Sequence, residues 1–211
     1  MDFGWYPLLF GIAFGLIPPR WLYAKGYRHL TLLEVRSSNF RLPGGSSGGN
    51  RRRRRWWKTA LVLLDPFRGY ASAHLCALGL AAIPATIPLV PVFSLVLQCL
   101  IITGILITQM ESGRQGADQI IAPVGFLFGF TTGLYLDFGI IGGAVATIGL
   151  TTMIAAHSFT WGYLVSGAAA TVIGFSFLGA SPALIIFAVT AAAPVPYAFM
   201  RRAKIVYPLR G

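Results

Sequence analysis

Acidic residues are scarce in this chain. Six aspartates and glutamates stand among 211 residues against seventeen lysines and arginines, and charged side chains of both signs make up only 11%. A soluble domain carries about 25%, so the composition argues against an ordinary soluble globular fold. Cysteine is nearly absent: Cys76 and Cys99 both fall in apolar stretches, which predicts free thiols in packed helices and says nothing of redox compartment. The sequence contains no Gly-x-Ser-x-Gly, His-Glu-x-x-His or Cys-x-x-Cys. A Ser/His/Asp hydrolase therefore has no support, and neither a metal nor a cofactor is expected. No internal repeat is visible, which counts against a transporter built from paired halves. No bases precede the first apolar run, as they would in a cleavable signal; an uncleaved anchor with its N-terminus outside is expected.

What is abundant is apolar. Hydrophobic residues make up 55% of the chain, the mean hydropathy is +0.69 and the net charge is +11. A charged group at the centre of a membrane helix costs about 2.5–3.5 kcal/mol on insertion scales, so the gaps between charges mark crossings. Seven follow: about 3–19, 59–83, 88–110, 120–136, 138–156, 161–178 and 183–200. Twelve of the seventeen bases lie between Arg20 and Arg68, Arg114 is the only one from 69 to 200, and Arg201, Arg202, Lys204 and Arg210 close the chain. Basic loops stay cytoplasmic. Seven crossings bring the loops 20–58, 111–119, 157–160 and 201–211 to one side, with every base on it. The expected architecture is all-α: a single integral membrane domain over 1–211, a polytopic bundle of about seven helices. Its N-terminus is outside, its C-terminus is cytoplasmic, and the bacterial inner membrane is its location.

Gly125, Gly129 and Gly133 recur every fourth residue, as do Gly139 and Gly143. Small residues at this spacing let helix backbones approach closely in lipid; tight internal packing, or a groove for a lipid chain or partner helix, is expected there. The loop 20–58 carries a flexible Gly/Ser insert, Pro43 to Asn50, followed by Arg51–Arg55, Trp56, Trp57 and Lys58. This run is either a flank touching anionic lipid head groups or an anion site in which backbone N–H groups and arginines hold phosphate. No reading element for nucleic acid accompanies it. Within the apolar zone, Asp65 and Arg68 are spaced to form an i,i+3 ion pair. His74 is placed to face the bundle, and His157 stands alone near a turn.

These residues, in this order, resemble the small bacterial acyl-phosphate:glycerol-3-phosphate acyltransferases. Arg36-Ser37-Ser38-Asn39, after Leu33-Glu34-Val35, is similar to the front half of that family's first motif, Gly-Ser-x-Asn-x-Gly-Ala-Thr-Asn. Gly48-Gly49-Asn50 looks like its remnant beyond an interrupting 40–46 segment, with Arg53 where an arginine follows. Leu64-Asp65-Pro66-Phe67-Arg68-Gly69 resembles the family's Leu-Asp-x-x-Lys-Gly. Gly113-Arg114-Gln115-Gly116 stands at its phosphate-binding glycine loop, without the preceding Gly-His; Thr103 or its neighbours lie where that histidine is expected. Arg201-Arg202-Ala203-Lys204-Ile205 looks like a diverged His-Arg-x-Asn-Ile. The resemblance implies a seven-helix membrane enzyme that passes an acyl group from acyl-phosphate to glycerol 3-phosphate, with no cofactor. It implies Ser37 and Asn39 as catalytic residues, and Asn50, Arg53, Arg68, Gly113, Arg114 and Gly116 as holders of substrate phosphate. The motif erosion and loop insertion also fit a non-catalytic descendant, a structural or lipid-binding subunit of a larger membrane complex. The partners implied are the phospholipid bilayer, anionic head groups, the two substrates if the protein is active and partner subunits; none is nucleic acid.

Overall fold

The computed structural model describes residues 5–18, 27–30, 51–81, 90–111, 118–134 and 139–210. It gives side chains for 5–18, 64–81, 95–111, 118–134, 139–177 and 179–206. The described chain is mostly helical: α1 (Trp5–Leu16), α2 (Arg51–Ala81), α3 (Val90–Glu111), α4 (Val124–Gly133), α5 (Gly139–Ala156), α6 (Phe159–Leu178), α7 (Pro182–Ala192) and α8 (Pro194–Arg201). Three strands accompany them: β1 (Tyr27–Leu30), β2 (Gln119–Ile121) and β3 (Lys204–Arg210).

Close glycine contacts give the relative directions of several helices. Gly11 of α1 lies against Ser72 and Cys76 of α2, and Leu8 against Gly79, so α1 and α2 are antiparallel. α4 runs parallel to α2: Gly125, Gly129 and Gly133 meet Asp65, Pro66 and Tyr70 in turn. α5 and α6 are antiparallel, with Gly149 beside Ser166 and Met153 beside Gly162. α6 and α7 are antiparallel too, Gly167 meeting Ala192 and Gly174 meeting Leu184. A core of Ile105, Met110, Phe126, Phe130, Val145 and Phe187 fills the space between these helices.

The glycine stripe on α4 fulfils its expected role. A methyl group on Gly129 would stand 1.7 Å from the Pro66 carbonyl oxygen, and one on Gly69 would stand 2.0 Å from that of Phe126. The α2–α4 crossing is therefore backbone against backbone, which only glycine allows. The second stripe is different. Gly142, not Gly143, makes the tight contact, 2.2 Å from the Thr131 carbonyl oxygen, while Gly143 has nothing within 4 Å. Spacing names a helix face without saying which face is covered.

The sequence expectations differ from the structure in five further places. Arg51–Lys58 opens α2 rather than ending the loop; arginine and lysine are good helix formers, and nothing in the run interrupts the helix. The fourth segment does not begin as helix at Ile120. Gln119–Ile121 is a strand, and α4 starts only after Pro123, whose missing N–H resists a helix running through it. The seventh segment breaks at Ala193, where Pro194 opens α8 at a bend of 56° from α7. Cys99 lies exposed on the outer face of α3, whereas Cys76 is buried. Lastly, β1, β3 and β2 form a sheet in that order, an addition to the all-α expectation.

That sheet ties three connecting segments together. β3 pairs antiparallel with β1, Tyr27 opposite Arg210 and Leu30 opposite Tyr207. It pairs parallel with β2, Gln119 opposite Lys204 and Ile121 opposite Val206. The amide of Lys204 donates to the Asp118 carbonyl at 2.7 Å, and that of Ala122 to the Val206 carbonyl at 2.7 Å. Segments from 20–58, 111–119 and 201–211, which the charge pattern groups on one side, thus meet at one end of the helices.

Among the described helices, Gly139–Ala156 alone is long and apolar enough to cross a membrane; the bent pair α7–α8 also is if its two parts are taken together. α1, α4 and the 95–111 part of α3 are shorter apolar helices.

Candidate functional site

Two polar clusters and one cavity stand out in an otherwise apolar molecule. The first cluster joins α1, α2 and α3. Arg68 is 4% exposed and Asp65 7%, and the expected i,i+3 pair is formed: Arg68 Nη2 donates to Asp65 Oδ1 at 2.6 Å. Nη2 also donates to Gln109 Oε1 at 2.6 Å, and Nη1 donates to the Ile17 carbonyl. Gln109 Nε2 in turn donates to the carbonyl oxygens of Gly15 and Ile17, the latter at 3.1 Å. Ser72 Oγ donates to the Gly11 carbonyl at 2.8 Å. The Arg68 guanidinium lies 4.8 Å from the centre of the Phe126 ring, where a cation is attracted by the ring face.

The physical logic is that of a capped helix end. The last carbonyls of α1 lack intrahelical donors and carry partial negative charge. Arg68 and Gln109 supply the donors, and Asp65 balances the arginine. A buried charge is tolerable only when paired and hydrogen-bonded. One atom is left over: Arg68 Nε is buried and makes no hydrogen bond among the described residues. Sequence reading identified Asp65 and Arg68 but passed over Gln109 and Ser72. An amide or hydroxyl inside an apolar run was the available signal, since such a group must find a partner away from water. His74, half-buried, stacks on Tyr70 with ring centres 5.4 Å apart.

The second cluster fastens α8 to the end of α3. Tyr197 Oη donates to Glu111 Oε1; Arg201 Nη2 reaches the same oxygen at 2.6 Å, and Arg201 Nε donates to Tyr197 Oη at 3.3 Å.

A cavity of about 740 Å³ opens next to α8, between the α5–α6 turn and the α8–β3 corner. Phe159, Val195, Ala198 and Ile205 supply apolar walls, and Arg202 and Lys204 supply positive charge. No aspartate or glutamate is among the described residues lining it. Both turns that frame it end a helix in the same way. His157 closes α5 and Arg202 closes α8, each in the left-handed region at φ 51° and 50°. The amide of Ser158 donates to the Met153 carbonyl at 3.2 Å, and that of Ala203 to the Ala198 carbonyl at 2.9 Å. Glycine is the usual residue at such a terminus; a side chain there costs about 1–2 kcal/mol.

The other candidate residues fall as follows. Ser37, Asn39, Asn50, Gly113, Arg114 and Gly116 lie outside the described residues. Arg53 belongs to the first turns of α2, with its side chain outside the described set. Arg68 is described, and both of its terminal nitrogens are engaged by the protein. Among the described residues no group of three or more His, Cys, Asp or Glu side chains is placed to hold a metal ion. The chain matches no protein-family model, no curated protein and no solved structure.

Proposed function

We propose that this chain is a multi-pass protein of the bacterial inner membrane. In this reading it is acyltransferase-like, handling acyl-phosphate and glycerol 3-phosphate at the cytoplasmic face. The membrane part is supported by the outward faces of the helices. Leu9 and Phe10 of α1, Phe67 of α2, Leu100 of α3, Ile140 and Ile154 of α5, and Val172 and Phe175 of α6 are all exposed. Ile140 is 90% exposed. Large apolar side chains exposed on the outer faces of five helices suit a lipid environment, where tails cover them without cost. The common end reached by the three basic connecting segments supports the sidedness.

The acyltransferase part rests on the joint order of the segments at 33–39, 48–53, 64–69, 113–116 and 201–205. Its chemistry is attack by the substrate hydroxyl on a mixed anhydride, which calls for orientation and charge neutralisation more than for a protein nucleophile. The deciding experiment incubates folded, purified protein with a long-chain acyl-phosphate and glycerol 3-phosphate and measures lysophosphatidate. Turnover that disappears in Ser37→Ala and Asn39→Ala is expected; no turnover above background refutes the enzymatic part.

A second reading is favoured by one observation. Arg68, the base of the motif that matches best, spends its terminal nitrogens on Asp65, Gln109 and the end of α1. That use suits a non-catalytic descendant acting as a structural or lipid-binding subunit. It predicts a stable partner retained through purification in mild detergent, and an assembly indifferent to Ser37→Ala.

A further inference from the structure

We infer that the cavity beside α8 is a binding site for an anionic phospholipid, its phosphodiester held by Arg202 and Lys204 and an acyl chain laid along the apolar wall. The inference rests on the membrane reading above, not on the acyltransferase one.

Volume and chemistry agree first. About 740 Å³ is the size of a ligand pocket rather than of a packing defect, and its lining divides into a basic rim and an apolar wall. Arg202 and Lys204 make no ion pair among the described residues. Their neighbour Arg201 is bound to Glu111 instead. Two exposed bases facing a cavity whose described lining has no acid are matched by an anion.

Position agrees next. α8 turns 56° away from α7, so it does not continue the line of the span. Along it apolar Phe199 and Met200 are exposed, Phe199 by 85%, and Arg201 and Arg202 follow at once. An exposed apolar step running into bases is the pattern of a helix lying at head-group level. This argues for a lipid of the bilayer over a free phosphate: Phe159, Val195, Ala198 and Ile205 give a water-soluble anion nothing to bind. The first turn of α6, at Ser158 to Thr160, lines the same cavity, and amide groups at a helix N-terminus favour an anion.

Arg202 occupies a left-handed position at which glycine would be more stable.

The test uses full-length protein in nanodiscs of phosphatidylcholine doped with a phosphatidylglycerol that carries a photoreactive acyl chain. Crosslinked peptides are mapped by mass spectrometry, and unlabelled phosphatidylglycerol and inorganic phosphate serve as competitors. Labelling of the 159–160 and 195–205 segments is expected, displaced by the lipid and not by phosphate at the same concentration. Arg202→Gly with Lys204→Gln is expected to weaken labelling about thirtyfold, from two charges near the surface. Arg202→Gly alone raises the unfolding temperature, because glycine suits the backbone there. Arg55→Gln with Lys58→Gln removes the same charge elsewhere and is expected to change labelling less than threefold. Equal weakening by both double variants overturns the inference in favour of diffuse charge, and displacement by phosphate overturns it in favour of a soluble ligand. Labelling unaffected by the Arg202 and Lys204 changes overturns it outright. Failure of the protein to enter nanodiscs at all refutes the membrane reading instead, and loss of acyl transfer bears on neither.

Discussion

Gly129→Ala is expected to destabilise the protein severely, and Gly143→Ala to leave it unharmed or improve it. Both glycines lie on apolar helices in four-residue repeats, and the substitution is chemically the same. At Gly129 the added methyl would stand 1.7 Å from the Pro66 carbonyl oxygen. Ordinary contact begins near 3.4 Å, so the separation must double. The obstacle is backbone, so no rotamer change relieves it; α4 must move away from α2. That movement also pulls Phe126 from the Arg68 guanidinium and opens the neighbouring contacts of Gly69 and Gly133. Overpacking costs about 1–3 kcal/mol in ordinary cores, occasionally more, and the upper end is expected for a clash with main chain. At about 2–4 °C per kcal/mol for a chain of this size, the unfolding temperature should fall by roughly 6–12 °C. At Gly143 a methyl meets nothing within 4 Å, and alanine gains up to about 1 kcal/mol in helix propensity. Thermal unfolding of the purified variants, followed by intrinsic tryptophan fluorescence in one detergent, measures both. Equal destabilisation by the two would refute the assignment of α2–α4 as the close crossing, and a stabilising Gly129→Ala would refute it more strongly.

Three further outcomes follow from the polar clusters. Arg68→Met leaves Asp65 buried without its partner and strips donors from the end of α1, so a loss of about 3–5 kcal/mol is expected. Asp65→Asn added to it should recover part of that loss in a double-mutant thermal series; strict additivity would show that the pair does not interact. Ser72→Ala removes one buried hydrogen bond, worth about 0.5–1.5 kcal/mol, and the same thermal series reads it. Glu111→Gln weakens the fastening of α8 to α3. Faster hydrogen exchange confined to 194–203 is expected, with little effect on α2, because the Arg201 end of this cluster faces solvent; a global loss of protection would contradict the local role given to it.

The distribution of charge carried much of the architecture. Scarce acids and clustered bases marked the apolar helical segments and the connecting segments that the sheet brings together, because a charge is costly to bury at its own position along the chain. Asp65 and Arg68 were legible as a pair for a similar reason: a three-residue separation on a helix is a local distance. The break between α5 and α6 was legible as the loop 157–160, whereas the caps by Ser158 and Ser181 emerged only from the structure.

What depends on distant neighbours was not legible. Gly142 rather than Gly143 faces α4, and no repeat in the sequence distinguishes them, because which side of a helix is covered is decided by the helix that arrives there. Gln109 and Ser72 belong to the Arg68 cluster only because α1 ends beside them, dozens of residues away in the chain. The strand at 119–121 exists because β3 lies alongside to satisfy its backbone; the same Ile-Ile read by itself continues a helix. The cavity at Arg202 and Lys204 likewise exists only where the α5–α6 turn meets the end of α8. The sequence by itself determined roughly where the apolar helical segments lie and that the bases gather in the segments between them, since those are set by local composition. Only the tertiary structure decided which small residues let backbones touch, which buried polar groups share a partner and where space is left between helices, since each of those is a relation between residues that the chain order keeps apart.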